Sequence, residues 1–460
     1  MRMTQHNDLA ALDKAHALHP WTHFESFERD GPMVITRGKG CDLWDVDGKR
    51  YLDAVGGLWC TNIGLGRKEM AQAIAEQAER LGFANTFVDQ SHDPQALLSA
   101  KLAQIAPEGL NRVHFTTGGS TAIDSAYRMV QFVQAARGFE GRTHVIARRH
   151  SYHGSTFVSM SLGMRDGDRS PEFTYKSDTI HHVEAPYVYR RPDGMSVEEF
   201  EDSLIAEFEA KIEEVGAEKI AAFFAEPIQA SGGVLVPPPG YLKRMWEVCQ
   251  RHGILFVADE VVTGFGRCGE WFASETIYGV TPDIICCAKG LSSGYQPIGA
   301  VIFSDDLWRD MSGDRWYTSG FTYSGHPVAC AAALKNIEII EDEGLLSHAK
   351  EMGALFQQAL HGLEDLPIVG DVRGHTLIGC VENVADKTTR RDFDEGIDIG
   401  RRITDAAEAR GLIVRPMGSL NVMSPPLVIT PDQIDFVAET LRAAIIEVTD
   451  QLVRDGVKIG

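Results

Sequence analysis

Two short apolar runs close on residues that could do chemistry. Ile254-Leu255-Phe256-Val257-Ala258 ends on Asp259-Glu260, and Ile284-Ile285-Cys286-Cys287-Ala288 ends on Lys289-Gly290. An apolar run of about four to eight residues bounded by turn signals fits a buried strand of a parallel sheet. Open α/β sheets bind ligands at the carboxyl ends of their strands. Asp259 and Lys289 would then face one crevice from two strands. A lysine amine can hold an aldehyde as an imine, and a carboxylate can keep a heteroaromatic ring nitrogen protonated. That pair is what pyridoxal phosphate requires of a protein. Two ordinary charges where strands meet solvent would look the same in isolation, so the remaining segments must decide.

Thr116-Thr117-Gly118-Gly119-Ser120-Thr121 joins a strand to a helix. Small residues let backbone N–H groups approach an anion, and a helix N-terminus favours negative charge, so a phosphate would sit well here. A plain turn with Ser120 or Thr121 as N-cap is the simpler alternative. In Ser151-Tyr152-His153-Gly154-Ser155, Tyr152 could stack on a flat heteroaromatic ring and His153 could supply a hydrogen bond. Alternatively, Tyr152 covers the sheet edge. Ala225-Glu226-Pro227 puts Glu226 at a third strand end, to orient neighbouring groups or to cap its own loop. Arg415 follows the apolar Leu412-Ile413-Val414 and could grip a substrate carboxylate, with a structural ion pair as the rival role. Phe321-Thr322-Tyr323-Ser324 offers three hydroxyls before a helix. Gly264-Phe265-Gly266-Arg267-Cys268-Gly269 matches G-x-G-x-x-G, but five residues separate it from the strand and no helix opens at Gly269. A dinucleotide fingerprint must sit directly between the two.

The elements that would carry these residues alternate. Strands are predicted at 112–116, 145–147, 220–225, near 255–259 and 284–288, and at 298–303. Helices are predicted at 68–81, 95–105, 121–136 and 241–251. Strand–helix alternation implies a parallel sheet with helices on both faces. A hairpin is expected around Asp47-Gly48, within a peripheral antiparallel unit. Residues 1–30 read as an irregular arm with scattered aromatics, Trp21, Phe24 and Phe27. Ile434, Val437, Leu441, Ile445, Val448 and Leu452 trace an amphipathic terminal helix.

The chain has 460 residues, enough for two or more domains. Its 44 basic and 65 acidic residues give a net charge of −21, which opposes nucleic acid and anionic membrane surfaces. No apolar run is long enough to span a bilayer, and the first residues lack the apolar core of a signal peptide. A cytoplasmic location is the expectation. The eight cysteines show no C-x-x-C spacing, and Cys286 and Cys287 read as small buried hydrophobes.

These segments, in this order, resemble the class III aminotransferases, the ω-aminotransferase family of fold type I pyridoxal phosphate enzymes. The resemblance runs from Gly56-Gly57-Leu58-Trp59 to Pro425-Pro426-Leu427, and its most specific part is Asp259-Glu260-Val261-Val262-Thr263-Gly264-Phe265-Gly266-Arg267 with Lys289 after it. It implies an α/β fold: a large, mostly parallel sheet domain at 68–330 and a smaller α+β domain built from 1–67 and 331–460. It implies pyridoxal 5′-phosphate and calls for no metal. Lys289 would be the Schiff-base lysine and proton carrier, and Asp259 the partner of the ring nitrogen. Val261 and Tyr152 would cover the two ring faces, Gly119 and Ser120 would hold the phosphate, and Glu226 would support the ring's hydroxyl side. Thr322 would reach the phosphate of a neighbouring protomer's cofactor, which makes a homodimer with shared sites the smallest unit and leaves a tetramer open. Trp59 and Phe87 would shape the substrate pocket, and Arg415 would accept a carboxylate.

The implied reaction moves an amino group by a ping-pong route from an amine or ω-amino acid, such as β-alanine, a taurine-like acid or a diamine, to pyruvate. Decarboxylation, racemisation or an aminomutase shift on the same cofactor is the alternative, with an NAD-dependent oxidoreductase further behind. One departure stands out. Where the family usually has Gly-Ser-Glu-Ala-Asn, this chain has Gly119-Ser120-Thr121-Ala122-Ile123. The departure bears on local packing and substrate preference more than on cofactor binding.

Overall fold

The computed structural model describes residues 6–165 and 167–460. Its centre is a seven-stranded sheet in the spatial order Arg112–Thr116, Gly299–Phe303, Ile284–Cys287, Leu255–Asp259, Ile220–Ala225, His144–Arg148 and Ile180–Val183. Only Gly299–Phe303 runs against its neighbours, so the sheet is mostly parallel. Ile220–Ala225 and Leu255–Asp259 are buried at every position. Unbroken apolar runs suit strands covered on both faces.

Side-chain alternation along these strands feeds two apolar layers. Phe223, Ala225, Phe256 and Ala258 face one layer with Phe208 and Ile212 of the helix Val197–Val215. Ala222, Phe224, Leu255 and Val257 face the other, against Ala122, Ala126, Met129, Val130 and Val133 of the helix Gly119–Ala136. Phe223 and Phe256 are paired in register, their rings 5.6 Å apart. Each buried phenyl contributes roughly 1.5–3 kcal/mol. These layers hold the strands, and the strands fix where each one ends.

Two small sheets flank the centre. One joins both ends of the chain: Ile35–Lys39, Asp42–Asp45 and Arg50–Asp53 pair with Leu412–Ile413. The hairpin expected at Asp47-Gly48 lies within it. The other contains Val369–His375, Ile378–Asn383, Leu420–Met423 and Arg415–Met417. The terminal helix spans Pro431–Arg454 and buries Ile434, Val437, Leu441, Ile445, Val448 and Leu452.

The N-terminal arm is not irregular. It holds helices His6–His16 and Phe24–Asp30. The second starts where the His23 side chain accepts the Ser26 N–H, a histidine cap that the usual Ser/Thr/Asp/Asn signals miss. The first part of this arm lies outside the described residues. Cys286 and Cys287 are buried free thiols. No helix among the described residues is long and apolar enough to cross a membrane.

Gly299, on the single reversed strand, has the turn Thr116–Gly118 directly above it. A Cβ there would collide with the Gly118 carbonyl and the Thr116 hydroxyl. Gly299→Ala is expected to cost about 1–3 kcal/mol of stability by overpacking. Chemical denaturation of the variant measures the loss.

Candidate active site

Every site segment of the large sheet lies at its carboxyl edge. Asp259 is the last residue of Leu255–Asp259, Glu226 follows Ile220–Ala225, and Tyr152 and His153 follow His144–Arg148. Lys289 follows Ile284–Cys287 after one residue, and Gly118-Gly119 follow Arg112–Thr116. Register brings the first pair close, because Asp259 pairs with Cys286.

Asp259 is buried, and both its oxygens are engaged. Oδ1 accepts the Val261 N–H at 3.1 Å, and Oδ2 lies 2.7 Å from His153 Nδ1. His153 Nε2 is buried without a partner. Glu226 Oε1 accepts the Tyr152 N–H at 3.1 Å, which seats the tyrosine over the edge rather than capping the glutamate's own loop. Burial pushes the Glu226 carboxyl above its ordinary range, opposed by His153 and reinforced by Asp259.

Lys289 has φ +42°, a left-handed conformation rare outside glycine. Such a residue costs on the order of 1–3 kcal/mol and clusters at functional sites. Its Nζ stands 5.5 Å from the Trp59 ring centroid. Burial pulls its pKa below the ordinary lysine value, while Asp259, Cys60 and Glu226 act against that shift and Arg415 adds to it. A depressed pKa enlarges the neutral fraction, the form that attacks a carbonyl or accepts a proton.

At the helix N-terminus the expected Ser120 or Thr121 cap is replaced by Gly118. The Thr121 hydroxyl donates to the Gly118 carbonyl at 2.9 Å and accepts the Thr117 N–H at 3.2 Å, closing the turn from inside. Ser120 Oγ accepts the Ser155 N–H at 3.0 Å, which joins this turn to the Tyr152 loop. A Cβ on Gly119 would stand 3.0 Å from Val261 Cγ1, so that position must stay small. Ile123 is fully buried in the apolar layer behind the turn.

Trp59 is buried near two cations: Lys289 Nζ is 5.5 Å and the Arg415 guanidinium carbon 6.0 Å from its ring centroid. Trp59 has φ +60°, at the end of a turn held by Asp53, whose carboxylate accepts the Val55 and Gly57 N–H groups at 2.9 and 2.6 Å. Arg415 is half-buried with its Nε unpartnered, and no carboxylate among the described residues pairs with it. The ion-pair alternative therefore finds no partner there. Arg415 opens onto a cavity of ≈ 800 Å³ lined also by Trp21, Arg165, Asp168 and Arg190.

Two sequence candidates are not part of this cluster. Phe87 and Thr322 are exposed, on neighbouring surface segments: Phe87 lies against Gly320, and the Thr86 hydroxyl donates to Ser324 O. The residues around Phe87 and Trp316–Ser324 line a separate cavity that Trp59 and Lys289 do not reach. Within one chain Phe87 therefore does not share a pocket wall with Trp59. Sequence reading also passed over Trp21, whose ring is 5.9 Å from that of Tyr152. Its aromatic neighbours in the arm were the available signal.

A family model for aminotransferase class-III matches residues 26–445. The chain belongs to the class III aminotransferase family. It is 42% identical over 428 residues to a putrescine–pyruvate aminotransferase of Pseudomonas aeruginosa, covering 92% of this chain and 93% of that one. It is 39% identical to a diaminobutyrate–2-oxoglutarate transaminase of Halomonas elongata over 99% of both. A thermostable (S)-enantioselective omega-transaminase from Thermomicrobium roseum superposes with a TM-score of 0.95 at 41% identity, covering 97% of this chain and all of that one.

The fold is thus fold type I, the cofactor pyridoxal phosphate and the reaction transamination. The G-x-G-x-x-G match carries no dinucleotide site: Phe265 and Gly266 donate to Trp271 and Glu270 carbonyls in a closed loop, with no helix at Gly269. The residues fit the cofactor. A bonded carboxylate and a strained lysine share one edge, Val261 and Tyr152 border it, and a glycine turn at a helix N-terminus is narrowed by Val261 to admit only backbone.

Replacing Asp259 by Asn removes the main charge that raises the Lys289 pKa, so that pKa should fall further. In the coenzyme-free enzyme, the pH midpoint for labelling Lys289 with an amine reagent is expected below the free-lysine value of about 10.4. In Asp259→Asn it is expected lower still. Peptide mapping of the labelled lysine across pH measures both.

Proposed function

We propose that this enzyme transfers an amino group from an amine or ω-amino acid, with β-alanine, taurine-like acids and diamines as the donor class, to pyruvate, giving alanine. The observation that carries the reading is Arg415: a guanidinium that, like Lys289, lies near the Trp59 ring and that no carboxylate among the described residues bonds. An apolar wall beside a cation that no carboxylate among the described residues bonds accommodates an uncharged side group in one half-reaction and a carboxylate in the other. The putrescine–pyruvate relative supports a diamine within that class.

Bound pyridoxal phosphate supplies the aldehyde that carries the amino group between half-reactions and the electron sink that lets a Cα–H ionise. Lys289 Nζ would hold that aldehyde covalently between turnovers. Displaced by the donor amine, it would take the Cα proton and deliver it to the coenzyme carbon that had been the aldehyde, as base and then as acid. Asp259, fixed by His153 and the Val261 N–H, would keep the ring nitrogen protonated. Gly119 and Ser120 would hold the phosphate, Val261 and Tyr152 the ring faces, and Glu226 the hydroxyl side. Arg415 would bind the keto acid's carboxylate, and its desolvation strengthens that grip. One site serves both halves, so the kinetics are ping-pong.

We further propose a homodimer. Phe87 and Thr322 lie on a surface that also exposes Phe83, Val88, Trp316 and Tyr323, an aromatic patch that a second copy would cover. Both residues would then serve the partner's site, Thr322 at the phosphate and Phe87 at the pocket wall.

Arg415→Ala is expected to slow the pyruvate half-reaction roughly 10- to 1,000-fold, the scale of a lost charged contact of about 1.5–4 kcal/mol. The half-reaction with a simple uncharged amine should be little changed. Single-turnover absorbance of each half, measured separately, tests this, and an undiminished pyruvate half would remove Arg415 from the role. Trp316→Glu is expected to sediment as a monomer and to lose activity with it.

A further inference from the structure

Lys289 begins a single 3₁₀ turn, Lys289–Leu291, that runs on irregularly to Gly294. Lys289, Ser293 and Gly294 have φ of +42°, +50° and +76°, so three of six consecutive residues are left-handed. Such backbone persists only where its surroundings over-determine it. Here one amide bonds three residues of the turn. Asn336, in the helix Pro327–Asp342, is fully buried. Its Nδ2 donates to the carbonyls of Gly290 at 2.8 Å and Leu291 at 3.1 Å, and its Oδ1 accepts the Ser293 hydroxyl at 2.5 Å. All three bonds fall on the turn that starts at Lys289.

The network continues past the turn. Ser293 Oγ accepts the Ile63 N–H at 3.2 Å, tying the turn to the chain that leaves Trp59. On the opposite side Asn62 Nδ2 stands 2.5 Å from where a Cβ of Gly290 would be, and Phe265 Cβ stands 3.1 Å from it. Asn62 donates to the Phe265 carbonyl at 2.7 Å and accepts from Arg267 Nη2 at 2.9 Å. Gly290 is thus clamped from one side and its carbonyl held from the other. An apolar residue at 336 would leave two buried carbonyls unpaired, and the turn would move to find partners.

We propose that Asn336 is a positioning residue for the reacting lysine: its amide holds the turn 289–293 so that Lys289 Nζ stands over Trp59 at the sheet edge. This rests on the reading of Lys289 as the lysine that carries the coenzyme.

The test uses the coenzyme-loaded enzyme and three variants. Asn336→Asp keeps the volume and the acceptor and loses both donors. Asn336→Leu loses all three bonds. Ser293→Ala removes one of the three Asn336 bonds together with the bond from the Ile63 N–H, and leaves the Asn336 amide in place. Both Asn336 variants are expected to lower kcat about 10- to 100-fold, the effect of a small misplacement of a reacting group, with little change in either KM. The pH midpoint of the bound coenzyme's absorbance band should shift in both, and should shift less, in the same direction, in Ser293→Ala. A purely structural role would lower Tm and coenzyme content but leave the pH midpoint and the kcat per bound coenzyme at wild-type values, and that result overturns the proposal. If neither Asn336 variant folds, Ser293→Ala decides: a shifted midpoint supports the assignment and an unshifted one overturns it. The underlying reading is checked separately. Borohydride should fix coenzyme to wild type at Lys289 and leave Lys289→Ala unlabelled, whatever Asn336 does.

Discussion

The site depends on one buried hydrogen bond, between Asp259 Oδ2 and His153 Nδ1 at 2.7 Å. A carboxylate sealed from water is costly unless each oxygen has a partner. Strand geometry makes the pairing available. Successive side chains point to opposite faces, so Asp259 and Glu260 diverge at the strand end. Asp259 turns toward His153. Glu260 turns into the loop behind it and receives Thr263 Oγ1, Ala273 N, and both Ser274 N and Ser274 Oγ. One acid therefore organises the chemistry and the next pins the Gly264–Gly269 loop. Removing one partner of such a buried charge costs about 3–5 kcal/mol, which ties the integrity of this edge to its function.

The sheet was legible because its strands are covered on both faces. Ile220–Ala225 is apolar at every position, and a run like that has few other places to go. The reversal at Gly299–Phe303 was not legible, since an apolar run carries no direction. Its short connection from Cys287 is the physical clue: parallel neighbours need a crossover of about a dozen or more residues with a helix to return the chain. The N-terminal helices were missed for a different reason. The second is only seven residues long and is started by a histidine, so neither periodicity nor the usual caps announced it.

Lys289, Asp259, Glu226 and Arg415 stood out as charges near strand ends, while their roles and that of Thr322, and Val261, Trp59 and Phe87 altogether, came from the resemblance to the family. What could not be read is what holds them. Asn336 lies inside a helix among Ala332, Ala333, Ile337 and Ile340, where an asparagine looks like an interruption of an apolar face. Its role exists only once the turn after Lys289 is folded against that helix. The placement of Phe87 was hidden in the same way. The resemblance put it with Trp59 at the substrate pocket, and within one chain it lies on the surface with Trp316–Ser324.

The departure from the family pattern at the phosphate turn follows the same logic of support. An acid and an amide would have provided polar side chains at 121 and 123. Here Thr121 keeps only a hydroxyl, yet that oxygen spans the turn in both directions, as donor to Gly118 and acceptor from Thr117. Ile123 gives up hydrogen bonding and fills the apolar layer with Ala122 and Ala126. The turn is therefore held from within by one side-chain oxygen, from behind by packing, and from below by the bare backbone of Gly299. Backbone N–H groups, the elements an anion needs, are untouched by the change. A substitution that alters the supports and spares the donors changes how firmly the turn is held more than what it can hold.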